Sequence, residues 1–232
     1  KDGSELVEGN IQVDATGNFY TAGRAQPGPI DSTNRDFYLK KHNIFGTNQW
    51  QRYFGSSGTN FFGQNCAILG DGNIVQVGSS DIGPYRSLYM FIVNSSGTLQ
   101  ASKAMTNVSG GTFTLFGGDG GVAPFSSSGF VVASGVSGEP AIVSSHDADG
   151  DLNWAKKLGT TESGSADRSV CVDSNDNIIV AFIDRTNNTD RKLGFVKFNS
   201  SGTVQWQRTI EHEGTGGAQF GNVKPNSIMV DK

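Results

Sequence analysis

The chain has 232 residues, with 22 Asp or Glu against 18 Lys or Arg, for a formal net charge of −4. That balance leaves no basic footprint for nucleic acid and no polybasic patch for an anionic membrane. The longest apolar run, IIVAFI at 178–183, is too short to cross a bilayer, and the 32 glycines, about twice the usual share, suit an all-β protein of many short strands.

In chain order, the opening KDGSELVEGN reads as the tail of a connecting loop, and a first unit follows at 10–55. Its runs are NIQVD (a), NFYTAG (b), DFYLKKHN (c) and QWQRYF (d). A tight Asp-x-x-Gly-Asn turn, Asp14 to Asn18, joins a to b; such residues tolerate left-handed backbone angles and favour hairpins. A long connection, RAQPGPIDSTNR (24–35), joins b to c, and a turn at Gly46 joins c to d. After GSSGTNFFGQN (55–65), the same phrases return in the same order at 65–105, with NSSGT at Gly97, and at 121–159, with DADGD at Gly150. They return again at 168–211, with NSSGT at Gly202, and a fifth unit begins at 226–232 with NSIMVDK.

The anchor glycines Gly46, Gly97, Gly150 and Gly202 are separated by 51, 53 and 52 residues. A near-constant period of this size marks a repeat architecture. Each unit reads as a four-stranded antiparallel meander in which a–b and c–d are hairpins. Run b is apolar on both faces (IVQV, FVVA, IIVA), as in a strand covered from both sides. Run d mixes Trp with Gln, Arg and Lys, as at an edge with one wet side. Four-stranded sheets of about 50 residues stacked face to face are the blades of a β-propeller. The expected fold is therefore all-β: four complete blades and the first strand of a fifth, an arc belonging to a larger protein rather than a closed ring.

The wording VDATGNFYTAG…DFYLKKHN…GTNQWQRYFG and VDSNDNIIVAF…LGFVKFNSSGTVQWQR resembles the SBBP-type repeat, a relative of NHL-type propeller blades. NSSGTVQWQR in particular is similar to propeller repeats in virion proteins of marine tailed phages, especially cyanophages. The likeness is weaker in the second unit, which has Ala101 where the others have Trp50, Trp154 and Trp206, and weakest in the third, where VAPFSSSG replaces the Val-Asp start. This resemblance implies a blade architecture and not a particular site.

The a–b and c–d turns would share one end of each sheet, and the long b–c and d–a connections the other. Variable loops gathered on a rigid scaffold are where binding usually lives. Tyr85, Arg86, Asp184, Arg185, Asp190 and Arg191, in SSDIGPYR (79–86) and DRTNNTDR (184–191), are the candidate binding residues on those loops. GGTFTLFGGDGG (110–121) is a further irregular connection. Gly46, Gly97, Gly150 and Gly202 are expected as structural turns and Trp50, Trp154 and Trp206 as blade packing.

The remaining motifs read as structure. DADGD (147–151) occupies the c–d turn and lacks the distal Glu and flanking helices of an EF-hand. The turn also differs from the sialidase Asp-box: Gly202 and Trp206 are four apart, not three, and no Asp stands at the box position. His42, His146 and His212 form no ligand pair and are expected as surface or turn residues, with His42 and His146 at the end of run c beside the c–d turn. No nucleophile–base pair presents itself, so no catalytic residue, metal or cofactor is assigned. Cys66 and Cys171 read as small buried residues, with a disulfide as the alternative. Of four sequons, at Asn94, Asn107, Asn187 and Asn199, two are the repeated turn itself.

The expected function is that of a non-catalytic structural or recognition module of a phage virion: a tail, fibre or decoration protein. Its partners would be other virion proteins or a host-surface glycan or protein, with no nucleic acid, no membrane insertion and a homo-oligomer within a larger assembly. A secreted or cell-surface adhesion propeller is the alternative. A lyase or hydrolase on an NHL-like propeller fits less well, because inward metal ligands are missing from runs a.

Overall fold

The computed structural model describes residues 5–6, 9–26, 35–56, 58–80, 87–105, 113–114, 121–136, 139–159, 168–187, 190–210, 228 and 230. Among them there is no helix, and the strands form four antiparallel sheets. The first sheet holds β1 (Glu5–Leu6), β2 (Ile11–Val13), β3 (Phe19–Ala25), β4 (Asp36–His42) and β5 (Asn48–Phe54). The second holds β6 (Phe61–Ile68), β7 (Ile74–Ser80), β8 (Ser87–Val93) and β9 (Leu99–Met105). The third is β10 (Phe113–Thr114), β11 (Gly121–Pro124), β12 (Phe130–Val136), β13 (Glu139–His146) and β14 (Leu152–Leu158). The fourth is β15 (Arg168–Val172), β16 (Ile178–Asn187), β17 (Asp190–Phe198) and β18 (Val204–Ile210).

Each sheet is the meander a–b–c–d. In the first and third sheets run a comes in two pieces, and β1 and β10 pair with the far ends of β3 and β12. Three apolar cores hold the stack together, one between each successive pair of sheets. Strand alternation divides run b between them. Ile74 faces the core shared with the first sheet, whereas Val75 and Val77 face the core shared with the third. Phe130 and Val132 likewise face back while Val131 and Ala133 face forward. A b strand is apolar on both faces because it has a neighbouring sheet on both.

Three boundaries differ from the sequence reading. Residues 61–64, expected in a connection, belong to β6, which pairs from Phe61↔Ser80 onward. The stretch 110–121 contains β10. The stretch 184–191, expected as an irregular loop, is mostly strand: β16 and β17 run on to the pair Asn187↔Asp190. A hairpin that projects beyond the sheets needs no apolar alternation, so its polar sequence reads as loop. Pairing of 226–232 lies outside the described residues, apart from Ile228 and Val230, which are not in strands.

All four c–d hairpins share an irregularity at one position. The register slips between Lys41 and His42, Ile92 and Val93, Ser145 and His146, and Lys197 and Phe198. One extra residue on strand d, Gln49, Gln100, Asn153 or Gln205, makes a β-bulge there, which re-aims the residue that follows.

Candidate functional site

At the turn end, the first residue of each c–d turn folds its side chain back onto the backbone. Asn43 Oδ1 accepts from the amides of Phe45 and Thr47, Asn94 Oδ1 from Ser96 and Thr98, and Asp147 Oδ1 from Asp149 and Asp151. Asn199 Oδ1 accepts from Thr203. The chain then turns through Gly46, Gly97, Gly150 and Gly202, all with φ between 79° and 83°, a region that suits glycine. In DADGD the carboxylate of Asp147 is thereby committed to its own turn. Among the described residues no group of three or more His, Cys, Asp or Glu is placed to hold a metal ion.

These turns receive side chains from the preceding sheet. Trp50 Nε1 donates to Ser95 O at 3.1 Å, Arg52 Nε to Gly97 O at 3.0 Å and Lys41 Nζ to Ser95 O at 3.3 Å. Trp154 Nε1 donates to Ser200 O at 2.9 Å. The ring of Trp50 lies so close to Gly97, and that of Trp154 to Gly202, that a Cβ on either glycine would collide with it. In the second sheet, where Ala101 replaces Trp, Lys103 covers Gly150 instead and bonds Asp151 at 2.6 Å. Trp206 has no following sheet among the described residues and is 38% exposed.

The a–b turns are built similarly. Asp14 Oδ1 accepts from the amides of Thr16 and Asn18, and Asp173 Oδ1 from those of Asn175 and Asn177. Burial alone would raise the Asp14 carboxyl, but the bonds from Thr16 and Asn18 outweigh it and hold it down at about 2. Asp173 is likewise lowered: burial opposes ionisation, and Lys197 at 2.9 Å with the Asn177 and Asn175 bonds overcomes it. Phe125 stands in place of this Asp in the third sheet, whose turn borrows an acceptor from its neighbour: Ser126 donates to Asp176 through both amide and hydroxyl. Further side-chain bonds cross between sheets nearer the core. Asn10 clamps both backbone groups of Cys66, and the buried Gln76 Nε2 donates to Gly23 O and Tyr38 O, both at 3.0 Å.

Of the two alternatives for His146, surface or turn, the structure shows a buried turn residue. Its ring is buried, stacks on Phe130 at 5.2 Å, and bonds Gly150 O through Nδ1 and Ser144 Oγ through Nε2. A carbonyl only accepts, so Nδ1 carries the proton and Nε2 accepts from the hydroxyl. Burial lowers its affinity for a second proton. His42 occupies the same repeat position, half-buried against Phe19 and bonded to Gly46 O. Both cysteines are free; Cys66 is buried, which pushes its thiol up to about 12, and Cys171 is half-buried.

The opposite, loop end differs in character. Between the first two sheets, the guanidinium carbons of Arg24 and Arg35 lie 5.8 and 5.5 Å from the centre of the Phe62 ring. Toward the same end, Asp36 Oδ1, Asn60 Oδ1, Ser79 Oγ and Ser80 Oγ are buried without a hydrogen-bond partner among the described residues; Ser80 shares the side of Ile74 toward the first sheet, and Ser79 that of Val75 and Val77 toward the third. Burial raises the Asp36 carboxyl. This cluster was not read from the sequence because Arg24 and Arg35 bracket a connection, 27–34, that separates them in the chain. The recurring strand positions of Phe61 and Phe62 were the available signal.

Of the candidate loop residues, Tyr85 and Arg86 lie outside the described residues. The backbones of Asp184, Arg185, Asp190 and Arg191 lie on the extension of β16 and β17, where Arg185 is opposite Arg191. That hairpin belongs to the fourth sheet, so these four are not brought to the Arg24–Phe62–Arg35 cluster between the first and second.

No protein-family model matches the sequence, and neither does any curated protein sequence. Solved structures do match. A protein of unknown function from Dyadobacter fermentans aligns over 87% of this chain and 52% of its own, with TM-score 0.50 and 11% identity. The Hadza microbial sialidase Hz136 aligns over 87% of this chain and 44% of its own, with TM-score 0.57 and 11% identity. The K499G mutant of NanB sialidase from Streptococcus pneumoniae aligns over 76% and 28%, with TM-score 0.52 and 11% identity. The chain thus spans about half the length of the first two. At such identity the likeness concerns the fold: an all-β chain with β-propeller-like neighbours.

Proposed function

We propose that the chain is a non-catalytic recognition module, a four-blade segment of a β-propeller, that binds through its loop end. The observation that supports this is the unequal use of polar groups at the two ends. At the turn end, polar side chains serve the turns and the contacts between sheets. At the loop end, Asp36, Asn60, Ser79 and Ser80 bury oxygens with no hydrogen-bond partner among the described residues, and the same end holds two arginines against Phe62. Buried polar atoms left without partners are costly, and a polar ligand would complete them.

The chemistry selects an acidic, hydroxyl-rich ligand. Guanidinium groups pair with carboxylates through two parallel bonds, and an aromatic ring offers a sugar an apolar face. We assign a host-surface glycan bearing carboxylates to this end. The second charged rim, Asp184, Arg185, Asp190 and Arg191, is assigned to a protein neighbour. The setting we propose, on the wording of the repeats alone, is a tailed-phage virion.

Binding to a panel of acidic and neutral oligosaccharides tests the ligand. Acidic members should bind, and Arg35→Ala and Phe62→Ala should each weaken binding about tenfold or more while melting stays near wild type. Equal binding of neutral sugars, or unchanged binding by both variants, would refute the glycan assignment. Turnover of sialosides or galactans would refute the non-catalytic one. Mass spectrometry of purified particles tests the setting.

A further inference from the structure

Three seams join the four sheets, and two positions close the turn end of each. One is the last residue of strand c, which faces the preceding sheet. The other is the side chain that reaches from the preceding sheet over the turn glycine. Between the first and second sheets these are Val93, fully buried, and Trp50 over Gly97. Between the third and fourth they are Phe198, also buried, and Trp154 over Gly202, with the two rings 5.9 Å apart. Between the second and third they are His146 and Lys103. Only the middle seam is closed at both positions by groups that titrate.

The His146 ring is 1% exposed and lies on Phe130, with Gly150 O at 3.2 Å from one nitrogen and Ser144 Oγ at 2.9 Å from the other. Lys103 lies over the same Gly150: a Cβ there would be 3.0 Å from Lys103 Cγ and 3.3 Å from Ile92 Cδ1. Its ammonium ends on Asp151, and the side chains of this pair are 37% and 66% exposed. The cover is therefore a solvated ion pair, which holds weakly, where the other two seams have an indole. The charged groups around His146 are Asp147, Asp149 and Asp151 on its own turn and Lys103 from the second sheet. The a–b turn of the second sheet, which abuts Ser126 and Ser127, adds Asp71. Leu69, Val75, Met90 and Ile92, on the other strands of the second sheet, do not titrate. No carboxylate among the described residues bonds the ring: Asp147 holds its own turn amides and Asp151 holds Lys103.

We propose that the seam between the second and third sheets is an acid-released joint. On protonation the His146 ring leaves Phe130 for water, the Lys103 cover lifts from Gly150, and the turn ends of these two sheets part while the seams on either side stay closed. A second proton puts N–H groups on both ring nitrogens. The Ser144 hydroxyl, which donates to Nε2 of the neutral ring, must then turn away. The new charge would sit buried against Phe130 with no carboxylate bonded to it. Burial accordingly holds the proton affinity of the closed ring below its ordinary value, with Gly150 O, Asp147 and Asp151 opposing. In the parted joint the ring is solvated and titrates at about 6.5. Parting is thus coupled to uptake of one proton, and below that value the parted fraction rises by up to about tenfold per pH unit. At the loop end of the same seam, Ser79 and Ser134 bury hydroxyls without partners among the described residues, so no polar bond of theirs resists the movement.

Hydroxyl-radical labelling of the whole chain at pH 7 and pH 5 reads the exposure of individual side chains and tests this. Phe130 and Ile92, buried in the middle seam, should gain label about threefold or more at the lower pH. Tyr20 and Phe198, as deeply buried in the first and third seams, should not. Two variants remove the titrating group: His146→Phe, which installs the residue found at this place in the fourth sheet, and His146→Gln, which keeps a donor for Gly150 O. Both should hold the labelling of Phe130 and Ile92 level between the two pH values. Equal gains at all three seams would assign the response to the fold as a whole, and a gain that persists in both variants would assign it to other groups. Either result, or a wild type whose middle seam gains no label, would overturn the proposal.

Discussion

A Cβ placed on Gly202 would lie 2.8 Å from Cδ2 of Trp154, one sheet earlier in the stack, while Trp154 Nε1 reaches over the turn to Ser200 O. The turn glycine is thus required twice, for its φ of 80° and for the ring that lies on it. Gly46 shares the first requirement without the second, with φ 79° and open space around it. Gly46→Ala should destabilise the monomer by about 1 kcal/mol, the strain of a left-handed Cβ. Gly202→Ala should cost about 1–3 kcal/mol more, because the ring must move. Chemical denaturation of both variants measures the difference, and equal losses would mean that the ring adapts freely.

The tryptophans separate in the same way. Trp154 is half-buried on the turn of the fourth sheet and packs against the apolar core between the last two sheets, whereas Trp206 is 38% exposed. Trp154→Ala should destabilise the monomer by about 2–4 kcal/mol, near the low end for a large aromatic because burial is partial. Trp206→Ala should cost about 0.5 kcal/mol or less at concentrations where the chain is monomeric. A large loss from Trp206→Ala under those conditions would show that its edge is covered within the chain.

The repeat rhythm made the four meanders legible, because turn residues and apolar runs recur in phase with the strands. What it hid was the relation between sheets. The bulge at Gln49, Gln100, Asn153 and Gln205 leaves a polar residue at the same place in every unit, a signal that was present. It also sets the spacing of four between glycine and Trp. Asn10 and Gln76 gave no such signal. Gln76 is one polar residue in an apolar run and Asn10 one among several polar residues, and the partner of each is a backbone group of the adjacent sheet. Ser126 is of the same kind: its turn looks defective, with no Asp or Asn at its head, until Asp176 supplies the acceptor.

Asn10 offers a direct measure of such a contact. Its amide accepts from Cys66 N at 2.8 Å and donates to Cys66 O at 2.9 Å, as a strand would. Asn10→Ala should destabilise the chain by about 2 kcal/mol, since it leaves two backbone groups of a fully buried residue without partners. Asn10→Asp keeps the acceptor and loses the donor, so it should fall between the two in denaturation midpoint at neutral pH. It should recover as pH is lowered and the carboxyl regains a proton to donate. A neutral Asn10→Ala variant would mean that water replaces the clamp.

His146 predicts a pH dependence with a definite sign. Burial against Phe130 lowers its proton affinity, and the nearby Asp147 and Asp151, with the Gly150 carbonyl, oppose that shift without cancelling it. The unfolded chain titrates near 6.5, and the folded one below that. Between the two values the unfolded state binds a proton that the folded state does not, so stability rises with pH across this window. It is fully present above the unfolded value and declines as pH falls toward the folded value. Denaturation midpoints should therefore drop between pH 7 and 5, ahead of the more acidic loss expected when Asp14, held at about 2, takes up its proton. Phe198 fills the equivalent position in the fourth sheet, which makes His146→Phe a substitution the architecture already accommodates. That variant leaves the Gly150 carbonyl and Ser144 hydroxyl without the ring, so its stability at pH 7 should fall by about 1–2 kcal/mol. Its midpoint should nevertheless be flat from pH 7 to 5, and a variant that keeps the wild-type slope would assign the dependence to other groups.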